Sequence, residues 1–317
     1  MGQVQGHAEL TSLSTRGLDG REITEIFETI MNAVDANTKT GLPRLAASKV
    51  ADTKRVVKYI WAHPANKGTR ARALLRAARF QIRGRVLRRP SLAQLGDRSR
   101  IWVYLHRTAA SKVLYGNPPD YPEMLAWRRV LRTGDLFVDV GANVGSYTIW
   151  AAECGADVIA IEPAAETFTL LAENIALNSY PVSAIQAAAG AACGIARFTS
   201  GRDSVNHLDP RGSVETELVT IDSLIGDRVV AGMKVDVEGF EIEVLLGCTR
   251  ALTESKIRLI QLEWNSTSQA AVGTDRLPVA DLLARYGYGL YRPDSKGVLV
   301  PISDISFGAD IFARPCR

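Results

Sequence analysis

Residues 136–154 read LFVDVGANVGSYTIWAAEC. LFVDV (136–140) is a compact apolar strand, and GSYTIWAAEC (145–154) has the apolar spacing of a helix. A strand entering a helix through a glycine-flanked turn is where open parallel sheets bind ligands, near the switch in strand order. The dinucleotide pattern G-x-G-x-x-G fails, because from Gly141 its next two glycine places hold Asn143 and Ser146. A phosphate loop fails as well, since no Lys-Ser/Thr pair follows. Asn accepts left-handed backbone better than most residues, so the turn survives without its second glycine. What is lost is close approach to a diphosphate, which disfavours a nicotinamide-dependent oxidoreductase.

Working outward, strands and helices alternate. DVIAIEP (157–163) reads as a second strand, AAETFTLLAENIALN (164–178) as a helix, and VSAIQAAA (182–189) as a third strand. GMKVDVEG (232–239) and IRLIQLEW (257–264) are further apolar strands, separated by a helix over 239–247 closed by Gly247. The stretch YGYGLYRPDSKGVLVPISDISFGADIFARP supplies two or three short strands for an antiparallel edge. The predicted fold is α/β, a doubly wound and mostly parallel sheet covered by helices on both faces.

A nucleoside without phosphates removes the need for bare backbone, and S-adenosylmethionine is such a ligand. It calls for an acid ending the first strand (Asp139), glycines at 141 and 145, and an acid closing the second strand (Glu162). Glu162 lies 23 residues past Asp139, close to the roughly 20 expected of a ribose-binding acid. The alternative for this pair is to cap the helices that follow, through the helix dipole.

FVDVGANVGSYT, IEP, LAENIALN, KVDVEGFEIEVLLG and LIQLEWN occur in that order, and together they resemble the FkbM family of S-adenosylmethionine-dependent methyltransferases over roughly residues 114–292. The resemblance implies a class I, Rossmann-like methyltransferase and transfer to a hydroxyl of a sugar or a glycosylated or secondary metabolite. It implies that Asp139, Gly141, Asn143 and Gly145 form the cofactor loop, with Asn normal at 143. It assigns Glu162 to the ribose, Gln186 and Ala187 to the border of adenine, and Asn178 to the end of an LxxNxxxN-like helix.

Methylating a hydroxyl requires alignment of the two reactants and removal of a proton. The candidate catalytic groups follow the fourth and fifth strands: Asp236 and Glu238 in KVDVEGFE and Glu263 in LEWN. Alternation along a strand end points Asp236 and Glu238 the same way. Such paired carboxylates bind a divalent ion or anchor substrate hydroxyls. His207 is the lone histidine of this region and a candidate base, titrating near neutrality. Glu241 reads as structural, Lys234 as an ion-pair partner for the acids, and Asp222 as an N-cap.

Composition bounds the rest. At 46 % hydrophobic and 23 % charged residues, the 317-residue chain can build a real core. Cys154, Cys193, Cys248 and Cys316 lack metal-ligand spacing and suit free thiols in the cytoplasm, and neither a signal peptide nor a membrane span is expected. The net charge of +4 hides an asymmetry: residues 54–132 hold 19 Lys and Arg against Asp97, Asp120 and Glu123. This divides the chain into a helical, basic extension over 1–112 and a methyltransferase-like domain over 113–317. The extension includes a predicted amphipathic helix around EITEIFETIMNAV (22–34). Its basic helices are either solvated or, over 54–112, a contact for a membrane surface. NPPD (117–120) is similar to the tetrapeptide of nucleic-acid base methyltransferases but lacks the terminal aromatic residue, so no nucleic-acid partner is expected. A non-catalytic adapter of the same fold is the other alternative. The expected acceptor is a small molecule or glycoconjugate.

Overall fold

The computed structural model describes residues 54–105, 108–198, 214–264, 277–303 and 309–316, so the predicted helix at 22–34 lies outside the described residues. The chain divides into two units, Met1–Pro90 with Leu114–Gly116, and Ser91–Val113 with Asn117–Arg317.

In the first unit, residues 54–62 form α1 and Arg70–Ile82 form α2. The α2 sequence is amphipathic: Ala73, Leu74, Ala77, Ala78 and Phe80 are buried, while Arg72, Arg76 and Arg79 are exposed. A π-type turn, Arg83–Leu87, prolongs it to Arg88, whose φ of 50° ends the helical path. Asn66 Nδ2 donates to the Ile60 and Tyr115 carbonyls, and Gln81 Nε2 donates to Tyr115 Oη. These bonds give the buried Asn66 and Gln81 amide nitrogens their partners.

The second unit opens with a hairpin, β1 (Ser91–Leu95) and β2 (Ser99–Val103). This corrects the helical expectation for residues 51–112. SLAQL and SRIWV alternate buried and exposed positions with the two-residue period of strands, and Leu95 pairs with Ser99 across the turn. The hairpin's residues group with the second unit, whereas the predicted boundary at 112 leaves them with the extension.

Then follow α3 (Thr108–Tyr115), α4 (Tyr121–Val130), β3 (Leu136–Val140), α5 (Ser146–Glu153), β4 (Asp157–Ile161), α6 (Ala165–Asn178) and β5 (Val182–Ile185). Next come β6 (Ala188–Ala189), β7 (Gly194–Phe198), β8 (Val214–Val219), α7 (Ile221–Ile225), β9 (Val230–Val235), α8 (Glu241–Leu246), α9 (Thr249–Thr253) and β10 (Ile260–Leu262). The chain closes with α10 (Leu277–Arg285), β11 (Tyr288–Pro293), β12 (Leu299–Pro301) and β13 (Ile311–Pro315).

The main sheet has the order β12-β11-β13-β10-β9-β3-β4-β5. Neighbours from β10 to β5 are parallel, and β13, β11 and β12 form the antiparallel edge. β3 and β9 are buried along their whole length, as expected of central strands covered on both faces. The third strand predicted over 182–189 is split. The backbone turns at Gln186, where Ala187 N–H donates to the Ile185 carbonyl. β6 then pairs with β8 in a separate three-stranded sheet. From β3 the order runs outward to β5, then resumes at β9 on the other side. The gap between the carboxyl ends of β3 and β9 is therefore the topological switch point.

The helix that follows β3, α5, carries the hairpin. The buried Glu153 carboxylate of α5 accepts from the backbone N–H groups of Asp97, Arg98 and Ser99 and from the Ser99 hydroxyl, and pairs with Arg128 at 3.0 Å. On α6, Asn178 exchanges two bonds with the Arg100 backbone, and Asn174 Oδ1 accepts Trp102 N–H.

Candidate functional site

The turn after β3 has left-handed backbone at Gly141 (φ 78°), Asn143 (φ 50°) and Gly145 (φ 94°). A side chain at 141 would meet the Asp236 carbonyl oxygen, so glycine there is a matter of space as well as conformation. Asn143 shows why its type suffices: it holds positive φ, and its own Oδ1 accepts Val144 N–H at 2.8 Å. Gly141 and Ala142 N–H both donate to the Ile161 carbonyl, which ties the turn to the end of β4. On the other side, Asn174 Nδ2 donates to the Val144 carbonyl at 2.8 Å. Asn174 is fully buried and so joins the turn to the hairpin.

Glu162 stands at the carboxyl end of β4. Its Oε2 accepts Asn143 N–H at 3.0 Å and its Oε1 accepts Ala164 N–H at 2.9 Å. Burial pushes its carboxyl up to about 7, against these two N–H donors. Each oxygen keeps a second acceptor position. Asp139 lies beneath the turn rather than on its rim: it is buried and accepts the Thr148 hydroxyl at 2.6 Å on Oδ2. Burial raises its pKa. Its Oδ1 and the Ser146 hydroxyl are buried polar atoms that make no hydrogen bond. Beyond β5, Gln186 is exposed and Ala187 buried.

Across the gap, Asp236, Glu238 and Glu263 come together, each with a carboxylate oxygen within 4.8 Å of the other two. The reason differs from strand alternation. β9 ends at Val235, and Glu238 sits in a turn with φ 51°, before α8 rather than inside its first turn. Lys234 makes the expected ion pair with Asp236 at 2.7 Å and lies over the Tyr147 ring at 4.6 Å. Burial alone would raise Asp236, but the Lys234 ammonium and a hydrogen bond from Glu263 take it below the ordinary carboxylate range. Glu263 goes the other way, to about 9, through burial and repulsion from Asp236 and Glu238. One proton shared by this pair keeps a charged and a neutral carboxyl side by side. Three oxygens this close are also able to hold a divalent cation.

Gln261, buried in β10, anchors the floor. It accepts from Trp127 Nε1 and donates to Tyr147 Oη at 3.0 Å and Asp310 Oδ2 at 2.7 Å. Asp310 is pushed up to about 6 by burial. Gln261, Tyr147, Asp310 and Asn174 were not singled out in the sequence. Gln261 left one signal, a polar residue in an otherwise apolar strand; Asn174 and Asp310 left none.

Of the remaining candidates, His207 lies outside the described residues. Glu241 accepts Gly239 N–H and is buried, which suits the structural role expected. Thr220, not Asp222, caps α7; the Asp222 carboxylate accepts N–H of Arg250 and Ala251 at the start of α9. In NPPD, Asn117 exchanges hydrogen bonds with the Gly96 backbone and the prolines are buried.

Residues 139–290 match the methyltransferase FkbM domain. A curated relative is the hexuronic acid methyltransferase AglP of Haloferax volcanii, 32 % identical in a match of 139 residues that covers 40 % of this chain. The match spans 56 % of that relative's length. Among solved structures, the precorrin-6y C5,15-methyltransferase of Geobacter metallireducens has a TM-score of 0.36 at 12 % identity, over 60 % of this chain and 86 % of that one. The tRNA m1G37 methyltransferase of M. jannaschii has a TM-score of 0.39 at 12 % identity, over 72 % and 57 % of the two chains.

Proposed function

Starting from a chain whose residues 139–290 match the methyltransferase FkbM domain, we propose that the protein transfers a methyl group from S-adenosylmethionine to a hydroxyl of a sugar or sugar-bearing molecule. The observation that carries this reading is the pairing, across one switch point, of an acid-backed glycine turn with a carboxylate cluster.

The turn fits the cofactor. Glu162 has acceptor positions left for ribose hydroxyls, and Gln186 and Ala187 follow β5, where an adenine ring would be bordered. Asp139 Oδ1 and Ser146 Oγ, buried without hydrogen bonds, suit the charged amino-acid end. The cofactor supplies an electrophilic methyl group. The chain must hold the acceptor oxygen in line with it and take up the hydroxyl proton. Asp236, kept ionised by Lys234, is the group we assign to accept that proton. Glu263, protonated at neutral pH, donates to Asp236 and orients it, and Glu238 holds a neighbouring hydroxyl. His207 is the alternative base.

A second reading is favoured by the 4.8 Å grouping of the three acids: the same oxygens would hold a divalent ion that acidifies the hydroxyl.

The experiment is calorimetric titration with S-adenosylhomocysteine at pH 6 and pH 8, followed by methyl transfer to uronic and neutral sugars. Wild type should bind, more tightly at pH 8 as Glu162 ionises, and NAD should not bind. Glu162→Ala should lose roughly 1–3 kcal/mol, the scale of lost charge-assisted hydrogen bonds, together with the pH dependence. Asp236→Asn should bind normally but slow transfer by about 10²–10⁴-fold, the range for a lost general base. Equal slowing in His207→Ala with Asp236→Asn unaffected would move the base to His207, and loss of activity with a chelator would favour the metal. No binding by wild type would remove the enzyme reading.

A further inference from the structure

We propose that the first unit docks on an anionic lipid surface through one face of α2 and the turn that prolongs it. Arg72, Leu75, Arg76, Arg79, Arg83 and Val86 recur at intervals of three or four, so they share a side of the helix. All are exposed. Leu75 is 41 % accessible, Val86 57 % and its neighbour Leu87 59 %. From 72 to 87 the face is roughly 22 Å long at 1.5 Å per residue.

An ordinary solvated helix face intersperses acids among its bases. Residues 54–90 hold twelve Lys and Arg and no Asp or Glu. Arg72 and Arg76, like Arg79 and Arg83, are like charges four apart, an arrangement that costs a helix stability. The Nε atoms of Arg76 and Arg83 donate to the Leu114 and Pro90 carbonyls, using one of the five N–H groups on each guanidinium. An external anionic surface is what would offset the repulsion.

Lipid is favoured over nucleic acid by the company the arginines keep. A phosphate backbone gains nothing from Leu75, Val86 and Leu87, and single-strand binding relies on stacking aromatics, which this face lacks. At the edge of a bilayer, aliphatic side chains enter the acyl boundary while arginines meet the headgroups. No helix among the described residues is long and apolar enough to cross a membrane. The proposal does not depend on the catalytic reading.

The test is sedimentation of the full chain with vesicles of phosphatidylcholine alone and with a quarter of the lipid replaced by phosphatidylglycerol. The chain should pellet with the anionic vesicles only, and less so at high salt. Arg79→Gln with Arg83→Gln should weaken partition by about 25-fold, from about fivefold per charge. Val86→Ser with Leu87→Ser should weaken it by about tenfold or more, with an unchanged melting temperature. No pelleting with anionic vesicles overturns the proposal. So does full retention of binding by the serine pair, and an RNA that competes equally against wild type and serine pair assigns the face to polyanions.

Discussion

Asn174 is a single amide with two partners in different parts of the molecule. Its Oδ1 accepts Trp102 N–H from the hairpin, and its Nδ2 donates to the Val144 carbonyl in the glycine turn. Asn178, one turn on, bonds the same hairpin strand through Arg100 but does not reach the turn. The pair separates positioning from simple stability. Asn174→Asp keeps the acceptor for Trp102 and sets an oxygen against the Val144 carbonyl. It should weaken S-adenosylhomocysteine binding by about tenfold, ~1.4 kcal/mol. Asn178→Ala should lower the melting temperature and leave that affinity unchanged. Equal affinities in the two variants would reduce Asn174 to a hairpin anchor. The turn itself was legible in the sequence because its determinants are close in the chain: a glycine, an Asn that tolerates positive φ, and Glu162, 23 residues past Asp139. The role of Asn174 was not, since LAENIALN shows two asparagines alike and only the packing of α6 tells them apart.

At the scale of elements, the hairpin shows where sequence patterns mislead. SLAQLGDRSRIWV has strand periodicity over only five residues a side and sits among arginine-rich helices, so composition overrode it. What makes it a hairpin is tertiary: the Glu153 carboxylate takes three backbone N–H groups from its turn. Burial would raise this carboxyl, but the Ser99 hydroxyl and those N–H donors hold it below the ordinary value. A depressed folded pKa gives stability that is present above the unfolded pKa of about 4.3 and is lost as pH falls through the folded value. Glu153→Gln should therefore cost roughly 2–4 kcal/mol at pH 7, the scale of leaving buried donors and Arg128 unpaired. Its deficit should shrink below pH 4 in urea titrations. A deficit that stays constant with pH would mean that the loss is one of packing. The parallel strands were easier to read, because central strands such as VAGMKV are buried on both sides and their apolar runs are continuous.

Across the whole molecule, buried acids of the second unit set a cost that grows with pH. Burial raises Glu123 to about 7, Glu162 to about 7, Glu263 to about 9 and Asp310 to about 6. These come from α4, the end of β4, the end of β10 and the residue before β13, elements far apart in sequence. The sequence singles out Glu162 and Glu263 as candidate site residues, but not that Glu123 and Asp310 would be buried as well; that follows from tertiary packing. For a carboxyl whose folded pKa is raised, the stabilising contribution is full below the unfolded pKa near 4.3 and is lost as pH rises through the folded value. Stability to urea, followed by the buried Trp127, Trp150 and Trp264, should thus decline from pH 5 to pH 9. Between pH 7 and 9 Glu263 is the main contributor, at up to about 1.4 kcal/mol per pH unit. Glu263→Gln should flatten that upper part and make the decline below pH 7 shallower, leaving there only the share of the other raised acids. S-adenosylhomocysteine at a hundred times its dissociation constant should restore about 2.7 kcal/mol at any pH where it binds. An upper limb unchanged in Glu263→Gln would mean that the proton shared with Asp236 is not held in the folded protein, and the assignment of Asp236 as the proton acceptor would lose its electrostatic basis.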